Sequence, residues 1–264
     1  MIANPDTMDR RATFLAMGDF VESMGGKVKT GVDVGLTADD VEVMAERTSH
    51  LGGRAALAPD LVTAYGVLTS ISAAVKHRRG SDDLTGLSVA VQGLGKVGFK
   101  LVELLQARGA TVVAAEVNSD AVNRARDTFG IEIVDPSEIH AQDVDIYSPC
   151  ALGMVVNDQS IKEISAGIVA GAANNQLTRP QHGVELAKQG TLYVPDYIVN
   201  CGGLLAVTSD LEASDESWVW NKVDEIAETL DEVFSLADRL EIATSYAADQ
   251  IGAARIANFD ASQV

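Results

Sequence analysis

An α/β fold organised around a doubly wound parallel sheet is predicted by three features of the chain from Leu87 onward. Apolar strand-like runs alternate there with helix-like ones: "LSVAVQ", "VGFKLVELLQARG", "TVVAAEV", "DAVNRARDTFG", "IEIV", "VDIYSP", "IVAGAA" and "LYVP". The strand-like runs are continuously apolar, the pattern of parallel strands buried on both faces by crossover helices. The first strand also runs directly into a GxGxxG turn that opens a helix, as in a βαβ unit.

Ahead of the sheet, Phe14, Met17, Val21 and Met24 form an apolar stripe at helical spacing, closed by Gly25-Gly26, and "KVKT" follows as a short strand. A second helix starts at Thr37, whose hydroxyl can cap it together with Asp40 three residues on, a capping box with Asp in place of the usual Glu. Leu61 to Arg78 reads as a longer helix that stops before Gly80. Beyond Tyr197 the pattern is helical: Gly202-Gly203 opens one helix, Val223, Ile226, Leu230, Val233 and Ala237 make a stripe, and a last helix runs through Tyr246 to Ile256. The chain has no internal repeat and no low-complexity linker.

Composition narrows the function classes. With 264 residues and 47% hydrophobic content, the chain can bury one large core or two modest ones. A formal net charge of −18 disfavours nucleic acid and anionic membrane surfaces as partners. No apolar run approaches the roughly 20 residues that span a bilayer, and "MIANPDTMDRR" is not a secretory leader, so a cytoplasmic protein is expected. The two cysteines, Cys150 and Cys201, fit a reducing compartment and read as small buried hydrophobes. The four histidines are scattered outside any ligand-spaced set, so no metal site is expected, and no serine sits in a nucleophile-elbow pattern.

The strongest motif is "VAVQGLGKVGFKLVELL". Gly93 permits a tight turn, Gly95 lets the backbone approach a pyrophosphate, and Gly98 lets helix and strand pack closely, with the helix N-terminus facing the phosphates. Lys96 and Val97, between these glycines, belong to the same candidate cofactor loop. The next strand ends in Glu116, followed by Val117, where an acidic side chain accepts hydrogen bonds from the adenosine ribose hydroxyls. A carboxylate there repels a 2′-phosphate and no arginine follows it directly, so NAD is expected in preference to NADP.

Three further segments place amides and small residues where strands end: "SPCALG" (148–153), "AGAANNQ" (170–176) and "PDYIVNCGGLLAV" (195–207). Asn174 and Asn200 suit the nicotinamide carboxamide or a substrate; each read alone is also compatible with a loop turn at a left-handed position.

Together these blocks, with "VDVGLTADDVEVM" and "APDLVTAYGV", resemble the Glu/Leu/Phe/Val dehydrogenases, and within them the leucine and phenylalanine dehydrogenase branch, over nearly the whole chain. The resemblance implies NAD-dependent oxidation of an apolar L-amino acid, or a related amine or imine, to its 2-oxo acid and ammonia. It implies that Asp33 is the catalytic, proton-handling aspartate, that Thr63 lies by the nicotinamide carboxamide, and that Asn174 lies between cofactor and substrate. Cys150, Ala151 and Leu152 resemble the family's loop over the cofactor, Asn200 the asparagine before its Gly-Gly, and Gly31, Leu204 and Val207 the side-chain pocket. A Rossmann-type NAD domain over 63–204 is implied, with a truncated α/β lobe over 1–62 completed by helices 205–264, the nicotinamide in the cleft between them, and a homo-oligomer as the assembly. The family's glycine-rich segment with its catalytic lysine, and its carboxylate-binding lysine, precede the part matching "NPDT", and this sequence opens at Met1 just there; Lys27 and Lys29 are exposed strand lysines, not their counterparts. Besides the enzyme, two alternatives therefore stand: a non-catalytic NAD-binding subunit that pairs with a polypeptide supplying the lysine, and a fragment of an ordinary amino-acid dehydrogenase.

Overall fold

A computed structural model describes residues 7–32, 35–53, 57–212 and 214–259. By its internal contacts the chain divides into two units, Met1–Pro59 with Gly203–Asn221, and Asp60–Gly202 with Lys222–Val264.

The first unit contains helix α1 (Arg10–Ser23), strand β1 (Thr30–Gly31), helix α2 (Ala38–Ala45) and strand β2 (Leu51–Gly52). Helix α1 ends as its glycines require, with Gly25 and Gly26 at φ +56° and +81°. Helix α2 starts in the expected capping box, the Thr37 hydroxyl accepting from the Asp40 amide while Asp40 accepts from the Thr37 amide. Phe14, Val41, Met44 and Leu51 form the core. Of the expected "KVKT" strand only Thr30 pairs, with Gly31 after it, and the parallel partner β2 is itself two residues long.

The second unit begins with helix α3 (Pro59–Arg79). It then builds strands β3 (Ser88–Gln92), β4 (Thr111–Ala115), β5 (Glu132–Ile133), β6 (Ile146–Pro149), β7 (Ile168–Val169) and β8 (Leu192–Tyr193) into one parallel sheet, ordered β5-β4-β3-β6-β7-β8. This is a doubly wound sheet: the chain moves outward from β3 to β5, then returns to the other side of β3 for β6 to β8. Val89, Ala90 and Val91 are consecutive and all fully buried, so both sheet faces are covered. One face carries Ala90, Ala115, Tyr147, Val169, Leu186 and Tyr193 in a shared core. Each fully buried Val or Leu in such a layer contributes about 1.5–3 kcal/mol.

Helix α4 (Lys96–Ala107) buries Gly98, Leu101, Val102 and Leu105, a single stripe at helical spacing. Helix α5 (Ser119–Phe129) is capped by the Asn118 side chain, which accepts from the amides of Asp120 and Ala121, and ends at Gly130 with φ +63°. Helix α6 (Pro180–Lys188) has Pro180 in its first turn. Four helices follow: α7 (Asp196–Val199), α8 (Gly202–Leu211), α9 (Glu216–Leu240) and α10 (Thr244–Ala257).

The contact division differs from the expectation that 205–264 complete the first unit: 203–221 group with it, and 222–264 group with the sheet. Side chains give the reason. Ile226 lies 3.3 Å from where a Cβ on Gly66 would stand, Ser245 lies 2.8 Å from such a Cβ on Gly183, and Thr244 donates its hydroxyl to the Tyr193 carbonyl. Among the described residues no helix is long and apolar enough to cross a membrane.

Candidate active site

The sheet reverses its winding between β3 and β6, and ligands of open α/β sheets bind beyond the strand ends at such a switch point. Both strand-end loops meet there. The Cys150 amide donates to the Gln92 carbonyl at 2.7 Å, and a Cβ on Gly93 would stand 2.8 Å from that of Ala151. Gly93 has φ +98°, a conformation that costs glycine little and other residues much.

The remaining glycines of the motif do different jobs. A Cβ on Gly98 would stand 2.0 Å from the Gly93 carbonyl oxygen, so this position closes helix onto turn. Gly95 is the N-cap of α4, with ordinary φ −68°, no side-chain cap and nothing within 4 Å of where its Cβ would lie. Open space at an uncapped helix N-terminus, with no acidic residue in its first turn, fits a pyrophosphate. Lys96 is exposed and Val97 half-buried beside it.

Glu116 ends β4's run with both carboxylate oxygens engaged. Oε2 accepts from the Leu94 amide at 2.7 Å; Oε1 accepts from Val117 at 2.7 Å and Asn118 at 2.9 Å. Partial burial pushes its pKa up, but the three N–H donors outweigh that and leave it below the usual carboxylate range, hence ionised at neutral pH. The carboxylate therefore tethers the glycine loop as well as presenting negative charge beside an exposed Val117.

From Gly93 the contacts run on through the other expected residues. Cys150 is half-buried, and burial pushes its thiol up in pKa, so it stays protonated. Leu152 is 82% exposed, whereas a Cβ on Gly153 would stand 2.2 Å from the Asn174 carbonyl oxygen. The Asn200 amide nitrogen donates to Asn174 Oδ1 at 2.6 Å and to the Ala172 carbonyl at 3.3 Å. A Cβ on Gly202 would stand 2.7 Å from the Cα of Thr63, a buried residue of α3. Neither asparagine is a left-handed turn residue; Asn175, at φ +52°, takes that position.

This hydrogen bonding fixes what the asparagine pair offers. Asn200 uses its nitrogen inward, so its Oδ1 is the free acceptor; Asn174 uses its oxygen inward, so its Nδ2 is the free donor. A donor beside an acceptor complements a primary carboxamide.

In the first unit, Gly31 lies against Val207: a Cβ on Gly31 would stand 3.1 Å from Val207 Cγ1 and 2.9 Å from the Gly52 carbonyl oxygen. Leu204 is 69% exposed on α8. Asp33 lies outside the described residues. Among the described residues, no group of three or more His, Cys, Asp or Glu is arranged to hold a metal.

Two contributors had escaped sequence reasoning. Gln176, fully buried, donates its side-chain amide to the carbonyls of Gly171 and Ala173, and Asp196 accepts from the Gln176 backbone amide at 3.1 Å. Both lie inside quoted motifs, but only the fold brings them together.

The family model for Glutamate/Leucine/Phenylalanine/Valine dehydrogenase matches residues 52–133 and 115–263. The chain is 37% identical over 268 residues to leucine dehydrogenase of Bacillus cereus, covering 100% of this chain and 73% of that protein. It is 39% identical over 261 residues to L-tryptophan dehydrogenase of Nostoc punctiforme, covering 98% and 74%. The crystal structure of the Nostoc punctiforme enzyme superposes with TM-score 0.82 at 38% identity, covering 94% of this chain and 73% of that one. A hetero-hexameric glutamate dehydrogenase from Thermus thermophilus, at 22% identity and TM-score 0.74, shares the fold over 93% of this chain and 68% of its own. The chain belongs to the Glutamate/Leucine/Phenylalanine/Valine dehydrogenase family.

Proposed function

We infer that the protein is an NAD-dependent oxidoreductase that deaminates an apolar L-amino acid to its 2-oxo acid. The observation that carries the reading is the continuous run of contacts at the sheet's switch point from the glycine loop to the Asn174–Asn200 pair. Gly93, Gly95 and Gly98 would hold the pyrophosphate, and Glu116 the adenosine ribose. Asn174 Nδ2 would donate to the nicotinamide carboxamide oxygen, and Asn200 Oδ1 would accept from its amide, with Thr63 beside them. NAD, when bound, accepts the hydride from the substrate's Cα. Asp33, by its place in the family pattern, handles the proton during water attack and ammonia release. Gly31, Leu204 and Val207 would receive an apolar side chain, because none of them offers charge to a substrate carboxylate such as that of glutamate. A homo-oligomer in a reducing cytoplasm belongs to the same reading.

The test is NADH formation by the purified protein at alkaline pH with leucine, valine, phenylalanine, tryptophan and glutamate. Turnover with one or more apolar substrates and little with glutamate is expected. Saturable NAD binding with no turnover of any amino acid would sink the reading as an enzyme for these substrates. Equal affinity for NADP would remove the role given to Glu116.

A further inference from the structure

We propose that Asp196 and Gln176 are positioning residues that set the Asn174–Asn200 pair, an inference that rests on the reading of that pair as the nicotinamide carboxamide's partner. Asp196 touches both sides of the pair. Its carboxylate accepts the backbone amide of Gln176 at 3.1 Å, two residues from Asn174, while its carbonyl accepts the amide of Asn200 at 2.9 Å. Asp196 is buried, at 9% exposure, and its carboxylate is held in turn by the Tyr193 hydroxyl at 3.2 Å. Burial, with the Asp196 charge beside it, pushes the Tyr193 phenol up in pKa, so the phenol remains a donor.

Gln176 closes the other side. Its side-chain nitrogen donates to the Gly171 carbonyl at 2.7 Å and the Ala173 carbonyl at 3.0 Å, bending segment 171–176 so that Asn174 lies at its outer side, exposed. The inner side of the bend is fixed on β6: the Ala173 amide donates to the Pro149 carbonyl at 2.9 Å, and a Cβ on Gly171 would stand 2.2 Å from that oxygen. An exposed asparagine on a loop would ordinarily sample several rotamers. Here one residue holds both partners, the loop backbone through the Asp196 carboxylate and Asn200 through the Asp196 carbonyl, so donor and acceptor keep a fixed spacing.

The experiment compares the wild type, Asn174→Ala, Asp196→Asn and the double variant by calorimetric titration with NADH and with ADP-ribose, which lacks the nicotinamide. Near-UV circular dichroism accompanies each to establish folding. ADP-ribose affinity should stay within about twofold throughout, because Gly93–Gly98 and Glu116 are untouched. The preference for NADH over ADP-ribose should fall about tenfold in each single variant, and no further in the double, because one residue acts through the other. A preference in Asp196→Asn within about twofold of wild type, or losses that multiply in the double, would overturn the proposal. Should Asp196→Asn not fold, Gln176→Met carries the same expectation and the same overturning result. Wild-type protein that shows no preference for NADH, or Asn174→Ala that keeps it, refutes the reading of the pair itself and the proposal with it.

Discussion

The sheet unit and the unit carrying α1 and α2 hold their candidate residues by different means. In the sheet unit Gly93, Gly98 and Cys150 follow strand ends or open a helix, and contacts with main chain dominate: Gly98 against the Gly93 carbonyl oxygen, the Cys150 amide to Gln92, and Gly93 against the Cβ and backbone of Ala151. In the other unit, Gly31 and Gly52 sit in two-residue strands, and the places of their Cβ atoms are closed by the Gly52 and Val207 carbonyl oxygens at 2.9 and 2.7 Å together with the Val207 and Leu211 side chains. An added Cβ is excluded in both regions, but truncating a neighbouring side chain reaches Gly31 and Gly52 more directly, because side chains share in closing their surroundings. The two regions should therefore fail differently when altered.

The largest effect belongs to Gly98→Ala. Its Cβ would meet the Gly93 carbonyl oxygen at 2.0 Å, and both atoms are held by backbone. Loss of more than about 3 kcal/mol is expected, together with loss of NAD binding, read from urea unfolding and calorimetry. Unaltered unfolding would show that the turn gives way, and the contrast between the regions would collapse. Next comes Met44→Ala in the small core, where truncating a fully buried side chain costs about 2–5 kcal/mol. ADP-ribose affinity measured below the unfolding transition should remain at the wild-type value, because the glycine loop belongs to the other unit.

Gly95→Ala sharpens the comparison inside one motif. The position has ordinary φ and open space, so the melting temperature should stay within about 2 °C of wild type. NAD affinity should nevertheless fall about tenfold or more, because the methyl enters the space assigned to the pyrophosphate. An unchanged affinity would move the phosphates away from this loop.

The same contrast explains what could be read in advance. The Thr37 capping box was legible because neighbouring residues of one helix start satisfy each other, and the glycine loop with Glu116 because the spacing within one βαβ unit is itself the motif, although 22 residues separate Leu94 from Glu116. The αL position at Asn175, in place of Asn174, and the pairing of Asn174 with Asn200 were not, since 26 residues separate that pair and only the sheet order joins them. Helix α6 was missed because its buried residues are His182, Gly183 and Leu186, a single large apolar side chain with no stripe around it. "KVKT" put its strand too early because pairing starts only at Thr30 opposite Leu51, where β2 begins, a bound no local pattern encodes. Arg10, 30 residues from Asp40, was likewise not foreseen as its partner.

That ion pair gives the smallest and most local test. Asp40 Oδ2 accepts from the Thr37 amide at 2.7 Å, and Arg10 Nε donates to Oδ1 at 3.0 Å. The Arg10 guanidinium, against the opposing effect of burial and with help from Thr37, holds the Asp40 carboxyl well below the usual carboxylate range. A carboxyl depressed on folding contributes stability that is complete above its unfolded pKa of about 3.9 and is lost as pH falls through the folded value. Thr37→Ala should cost about 1 kcal/mol at neutral pH by removing the hydroxyl cap. Asp40→Asn should lower the melting temperature at pH 7, and its gap from wild type should narrow steadily below about pH 4. A gap of the same size at both ends would mean that the helix start is held by neutral hydrogen bonds, with the Arg10 charge contributing nothing to this unit.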